Sequence, residues 1–418
     1  MHRIVEIIKL LGSISFALVS VGCSDLPPPT NFPPVSDVVG FSAASDIAVG
    51  RFLHASVALP DGRVIISGGF VGPGQEAQTS VEIFTPSANL WAGGPTMKDP
   101  RYAHQVVALP DGRILAMGGQ NLSGYLATAE ILDINKPSST WEKTNPMRES
   151  RIHFTATAIN SENIVLIAGG VSDVLGRSEW FAGATAQWLP EGMPQPMLQS
   201  RSYHASVRLQ SGAVLVAGGL AQIDADPEID YLDTTELFDP ATGTWTATGS
   251  MRTPRATYTL TLLPDGRAIA VGGTTDNGVA LSSAEVYDPI SGSWTETEPM
   301  ANARTGHQAT VLVGGRRLLV TGGYGDVTDP IAVAEILDIK TMQWAPAGNL
   351  VAPRFLHTAH LVESDGRVLL VGGVDREVIG TPATVRKTEL FTPPCASNLE
   401  CVEGHYCAVE GVCVPNMH

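Results

Sequence analysis

The chain has 418 residues, of which 44% are apolar and only 16% charged, and its 43 Gly and 29 Pro suit many short strands joined by tight turns. A formal charge of -16 and a pI near 5.0 exclude nucleic acid as a partner, because a phosphate backbone demands clustered Lys and Arg. Helical periodicity is nearly absent between Ser36 and Thr392, which excludes a helical bundle.

The N-terminal end reads as an export signal. Arg3 and Lys9 stand early, and Leu10 to Val21 form an apolar stretch too short to span a bilayer as a permanent helix, so residues 1–22 are assigned to a signal peptide. Val19-Ser20-Val21-Gly22-Cys23 resembles a bacterial lipobox, with Ser20 where that pattern usually carries Leu. The resemblance implies that Cys23 is lipidated and becomes the mature N-terminus; the alternative is ordinary cleavage that leaves a thiol. The following Ser24 to Pro34 is Pro-rich, so residues 23–35 are expected to form an extended tether. The expected location is the cell envelope or surface, anchored in a bacterial membrane.

From Arg51 onward a unit recurs seven times. Its opening Arg stands at positions 51, 101, 151, 201, 255, 304 and 354, spacings of 50, 50, 50, 54, 49 and 50 residues. Such a period points to stacked or radial repeats sharing one continuous core. Each unit runs from the Arg through an apolar strand, a turn and a second apolar strand that ends in Gly-Gly, as at Gly118-Gly119. The first turn is often Pro-Asp-Gly, as in Pro60-Asp61-Gly62 and Pro264-Asp265-Gly266: Pro presets the corner, Asp caps its own backbone and Gly accepts positive φ. A third strand carries Glu before an apolar or aromatic pair, as in Glu236-Leu237-Phe238. A second turn, such as Asp288-Pro289-Ile290-Ser291-Gly292-Ser293, then leads into a strand with Trp294. Four antiparallel strands repeated radially make a propeller blade.

The seventh copy stops after its third strand, Glu389-Leu390-Phe391, with no Trp following. An open sheet edge invites pairing with other chains, so a ring needs that blade completed from elsewhere. In most units Trp stands ten residues before the next Arg and Met or Leu four before it; counting back from Arg51 gives Phe41 and Ile47, which fit both slots. Val38 to Ala43 is therefore expected to supply the outer strand of the last blade.

The Gly-Gly pairs, the aromatic third strand and the spaced Trp resemble kelch repeats over about 350 residues, measured from Ser36 to Pro394. The resemblance implies an all-β, seven-bladed kelch-type β-propeller over residues 36–394, closed by an N-terminal outer strand. It further implies binding on loop faces near the central channel, and no particular activity. Residues 395–418 form a separate tail. Cys395, Cys401, Cys407 and Cys413 are evenly spaced there, and in an exported segment they imply two disulfides with three connectivities open. A zinc site is the alternative, though the close Cys pairs of zinc ribbons are missing.

Several residues are candidates for chemistry. His54, His104, His204, His307 and His357 occupy the fourth place of their units; they suggest a metal ring, or side chains that bond to backbone at the start of the inner strands. The repeated Arg and the third-strand residues Glu82, Glu130, Glu236, Glu285, Glu335 and Glu389 are expected to pair structurally, since a catalytic group is needed once and not seven times. Where the pattern breaks, function is a better expectation. Asp224, Asp226, Glu228 and Asp230 lie in an expanded loop, a weak Ca²⁺ candidate that lacks the Gly and terminal Glu of an EF-hand; the alternative is a solvated acidic loop and no cofactor. In the third unit Arg177, Trp180 and Phe181 suggest an exposed platform for a sugar or protein partner, or replacement core packing.

The reading that results is a non-catalytic, surface-tethered propeller, expected to be a monomer, that binds protein or carbohydrate. Its rivals are a mutarotase-like sugar enzyme of the kelch class and a structural envelope component. Copper-radical sugar oxidases of this fold need a Cys cross-linked to Tyr plus His ligands, and the absence of Cys between Ser36 and Pro394 excludes that subclass.

Overall fold

A computed structural model describes residues 40–72, 77–159, 163–171, 177–189, 194–221, 230–325, 330–378, 381–394, 405–407 and 413–415. Seven four-stranded antiparallel sheets dominate it, and among the described residues there is no α-helix, only two short 3-10 turns. We number the blades 1 to 7 by the residues Arg51 to Arg354 that precede their innermost strands. In blade 1 the strands run outward as Ala55–Ala58, Val64–Ser67, Val81–Thr85 and Leu90–Gly93. Each innermost strand lies beside those of the blades before and after it, and that of blade 7 meets that of blade 1, so the ring is closed.

The turns fold as their chemistry dictates. Gly62 has φ +85°, and the Asp61 carboxylate accepts the Arg63 backbone N–H at 3.1 Å, which fixes the hairpin between the first two strands. The Gly pairs answer a different demand. A side chain at Gly68 would collide with the Arg101 carbonyl and the His104 ring of the next blade, and one at Gly69 with His54 of its own blade. Gly69 instead approaches closely enough for its N–H to donate to the Arg101 carbonyl at 2.9 Å. The same bond links every neighbouring pair of blades, the last running from Gly373 back to Arg51 at 2.8 Å.

The core is a series of layers between blades. Met97, Met147, Met197, Met251, Met300 and Leu350, all buried, are carried by the links that enter successive blades. Ile47 takes that place in the link from the blade 7 outer strand to blade 1: it is fully buried among Val64, Ile66 and Phe84 on one side and Val362, Leu369 and Leu390 on the other.

Blade 7 is completed as expected. Gly40–Ala43 pairs antiparallel with Glu389–Thr392 in a register that sets Phe41 opposite Phe391, with ring centroids 4.8 Å apart. Trp91 opposite Phe84, Trp188 opposite Phe181, Trp245 opposite Phe238 and Trp294 opposite Tyr287 are the same arrangement, so Phe41 fills the Trp slot. Positions 38 and 39 lie outside the described residues.

The third unit requires a correction. Ser178–Ala182 is an ordinary third strand, in which Glu179 and Phe181 occupy the same slots as Glu236 and Phe238. Phe181 is fully buried and Trp180 is 7% exposed, its ring edge-on to Phe238 of blade 4 at 5.6 Å. Of the two readings of these rings, the exposed platform is absent and the core packing is present, because both rings pack in the layers on either side of their strand. Arg177, 40% exposed, faces Glu149 at 3.5 Å.

Candidate functional site

Each blade presents two ends. At one end are the tight turns between first and second strands and between third and fourth. At the other are the links that enter from the preceding blade and the loops between second and third strands, which in several blades grow into small ribbons. Examples are Gln120–Asn121 with Gly124–Tyr125 and Leu220–Ala221 with Asp230–Tyr231.

The long-loop end is held rigidly from below. All seven Arg side chains are buried and each meets its third-strand Glu at 2.5 to 2.8 Å, including Arg151 with Glu179, a partner the sequence reading did not assign. Each Glu also fastens the incoming link: Glu285 accepts the backbone N–H groups of Arg252 and Thr253 at 2.7 and 3.1 Å. Burial works against the Glu335 carboxylate, but the Asn302 side chain, the Ala301 N–H and the Arg304 guanidinium outweigh it and hold its pKa below the usual range. A carboxylate so fully occupied is structural.

The fourth-place histidines are occupied too. His54, His204 and His307 meet Thr358, Thr155 and Thr259 of the preceding blade through Nε2, each at 3.1 Å. His104 and His357 meet Ser67 and Thr321 at 2.9 Å. These partners are hydroxyls on a neighbouring blade, and His54, His204 and His307 also make the backbone hydrogen bonds that the sequence suggested, to Arg51, Arg201 and Arg304. Burial, reinforced by the adjacent Arg, pushes His54, His204 and His307 down to about 3. The imidazoles are neutral, and they lie in separate interfaces rather than around one ion. Among the described residues no group of three His, Cys, Asp or Glu side chains is placed to hold a metal. Asp224, Asp226 and Glu228 lie outside the described residues, and Asp230 is exposed at the start of its ribbon strand. Cys23, Cys395 and Cys401 also lie outside; Cys407 and Cys413 are set opposite each other by the register of His405–Cys407 with Cys413–Pro415.

Above this support, three positions in each blade build a mouth around the axis. The residue after the Arg forms a backbone bridge with the residue after the Gly pair, as Phe52 does with Phe70 and Thr305 with Tyr324. The residue two after the Arg turns left-handed in every blade, with φ between 50° and 63°, although only Gly306 among the seven is glycine. A left-handed L-residue costs about 1–2 kcal/mol, so six such residues persist only because the ring over-determines them. Bonds that run around the mouth do this: Ala103 N–H to Leu53 carbonyl at 2.8 Å, Thr257 to Tyr203 at 3.3 Å and Leu356 to Gly306 at 2.8 Å.

Among aliphatic residues such as Leu53, Ile152, Leu220 and Leu356, the mouth carries aromatic and hydroxylic side chains. Phe70 sits between Phe52 and Tyr102 with both centroid distances 5.4 Å, and Tyr324 meets Phe355 at 5.0 Å. His153 stacks on Tyr203 at 4.1 Å. Blades 5 and 6 add Thr257, whose hydroxyl meets those of Thr274 and Thr305 at 3.1 and 2.5 Å. Burial raises the phenol pKa values of Tyr102, Tyr203 and Tyr324; the nearby Tyr125 adds to this at Tyr102 and Tyr203, and Tyr231 at Tyr203 and Tyr324. Burial being the main cause, these phenols stay neutral.

Residues 74–328, more than half of the chain, match the family described as Attractin/LZTR1 beta-propeller. The chain belongs to that family. Its Attractin/LZTR1-type propeller is also similar to a solved fungal alcohol oxidase of the AA5 family in complex with copper. The TM-score is 0.70 over 91% of this chain and 79% of that one, at 18% identity. At that identity the likeness shows the fold alone. No curated protein sequence matches the chain. Residues 36–394 of this chain contain no Cys.

Proposed function

We propose that this chain is a non-catalytic recognition propeller, held at a bacterial cell surface through Cys23 and its Pro-rich tether, that engages protein or glycan with its long-loop face. The observation that carries the reading is the distribution of exposed apolar surface. Of the seven exposed large hydrophobic residues among those described, Leu122, Tyr125, Leu198, Val279 and Val351 lie on the long-loop face, and only Leu90 and Ile290 lie at the turns. Exposed apolar groups thus favour the face built of long loops on a rigid scaffold, which is where binding residues are disproportionately found. The Arg, Glu and His sets give no competing catalytic centre, because each is spread over the ring and engaged in packing.

The test sets one face against the other. Leu122→Arg and Leu198→Arg are expected to abolish binding to a panel of immobilised glycans and surface proteins, whereas Ile290→Arg leaves it unchanged. Loss confined to Ile290→Arg would refute the assignment. For the anchor, Cys23→Ser is expected to release the protein from membranes; a variant that still sediments with them would overturn it.

A further inference from the structure

We propose that the mouth of the ring is a binding site for an uncharged sugar ring, which deepens the recognition reading above and rests on its choice of face. Three positions in each of seven blades form the mouth, and none of these residues is Asp, Glu, Lys or Arg. Burial accounts for this at positions such as Phe52, Leu53, Ile152 and Val374, but the half-buried positions among them also offer no cation to receive an anionic ligand. Nearby carboxylates add to this discrimination, since Asp230 is exposed beside Tyr231 and Asp276 is close enough to raise the Tyr231 pKa further.

The chemistry present suits a pyranose. Phe70, Tyr102, Tyr231, Tyr324 and Phe355 are each half-buried and Tyr125 is exposed, so rings remain available around the mouth. An aromatic face packs against the C–H face of a sugar, while phenol and threonine hydroxyls bond to its edge. Thr257 lies half-buried in the one arc without aromatic residues at these positions, where it supplies a hydroxyl. The ring of strained left-handed residues beneath holds these groups in place before any ligand arrives, which lowers the ordering cost of binding.

The experiment is calorimetric titration of the full chain with maltohexaose, cellohexaose, laminarihexaose and chitohexaose. Hexagalacturonate is the anionic control and a proline-rich decapeptide the rival probe. At least one neutral hexasaccharide is expected to saturate the protein in the millimolar range or below, with hexagalacturonate inert. Tyr324→Ala and Tyr125→Ala are each expected to weaken that binding about tenfold or more by removing a stacking ring, and Ile290→Ala to leave it unchanged. Should Tyr324→Ala lower the melting temperature, the exposed Tyr125 carries the test.

Failure to bind any neutral hexasaccharide, or preference for hexagalacturonate, overturns the sugar site. Binding of the peptide alone, lost in the Tyr variants, removes the sugar and leaves the long-loop face as the recognition surface. Sugar binding lost only in Ile290→Ala removes both.

Discussion

The two ends of the propeller are built by opposite strategies. At the turn end, short segments are fixed locally: Asp111 and Asp265 each hold an Arg two residues on at 2.6 Å, and Asp365 does the same with Arg367 at 2.5 Å. Some contacts do reach the next blade, as Asn163 makes with Asp111 and Gln210 with the Pro264 carbonyl at 3.1 Å, but the Asp–Arg pair that shapes each of these turns lies within it. The long-loop end is fixed globally. Its left-handed residues, Arg–Glu pairs and histidines all bond between a blade and the link or blade next to it. Variation in loop length and side chain is tolerated at this end because the ring below sets the backbone. An end held by its own residues gives stability; an end held by the ring frees its outermost side chains for recognition.

The contrast predicts unequal sensitivity to acid, and this is the largest effect expected. His54, His204 and His307 are pushed down to about 3 and His360 to about 4, with His104 and His357 also well below the usual value, in each case chiefly by burial. The unfolded chain binds protons at these sites from about pH 6.5 downward while the folded chain resists them, so stability is full above about pH 6.5 and is lost as pH falls towards the folded values. A fully shifted histidine costs up to about 1.4 kcal/mol per pH unit, and the six shifts act in the same direction. Urea melts at pH 7, 6, 5 and 4 are expected to show a steep drop below pH 6, with hydrogen-exchange protection lost first at the inner-strand ends beneath the mouth. A midpoint that holds to pH 4, or protection lost first at the Asp–Arg turns, would break the contrast. Burial works against the Asp265 carboxylate, but the Arg267 hydrogen bonds and charge together outweigh it and hold its carboxyl below the usual range, so this turn keeps its charge in mild acid.

Next in size is the Arg–Glu support. Arg304→Met leaves the buried Glu335 unpaired and is expected to cost about 3–5 kcal/mol. Adding Glu335→Met removes the unpaired charge but also the acceptor of the Ala301 and Asn302 N–H groups, so it should recover only part of that loss. If the double variant is as unstable as the single one, the pair is not the unit that holds the link.

These supports were legible in the sequence to different degrees. Phe41 and Ile47 were found by counting back from Arg51 because the strand period and the layer period of a propeller are fixed by its geometry. The Arg–Glu pairs were legible for the same reason. Glu179 was missed because the turn that follows it lacks the Asp-Pro signature, although the spacing from Glu179 to Phe181 kept the slots intact. The resemblance pointed to loop faces near the central channel, but the residues of the mouth were not picked out. Phe70 meets Phe52 across its own blade and Tyr102 in the next, and Tyr231 reaches Tyr203 and Tyr324, so the site joins different slots of different repeats. A linear motif cannot display a surface assembled across seven repeats, while aligning the units column by column would have shown aromatic residues gathered beside Arg and Gly-Gly.

The clasp ranks third. Ile47→Ala removes a fully buried side chain shared by blades 7 and 1 and is expected to cost about 2–5 kcal/mol, read as a lower urea midpoint. The test is sharp when Met251→Ala is measured beside it, because Met251 fills the same slot where the chain is continuous through the blade junction. Equal costs would mean that the junction made by the two ends of the chain is as strong as any other.

The smallest effect belongs to the turn end. Asp265→Asn breaks the pair with Arg267, whose side chains are 42% and 35% exposed, and a pair so placed contributes about 0–1 kcal/mol after solvent screening. Its Oδ1 acceptor for the Arg267 backbone N–H at 3.1 Å survives in Asn, so the turn keeps its shape. The expected result is a melting curve within error of the parent and unchanged binding at the other face. A loss as large as that of Arg304→Met would mean that the turns depend on the ring after all, and the division between a locally fixed end and a globally fixed end would fail.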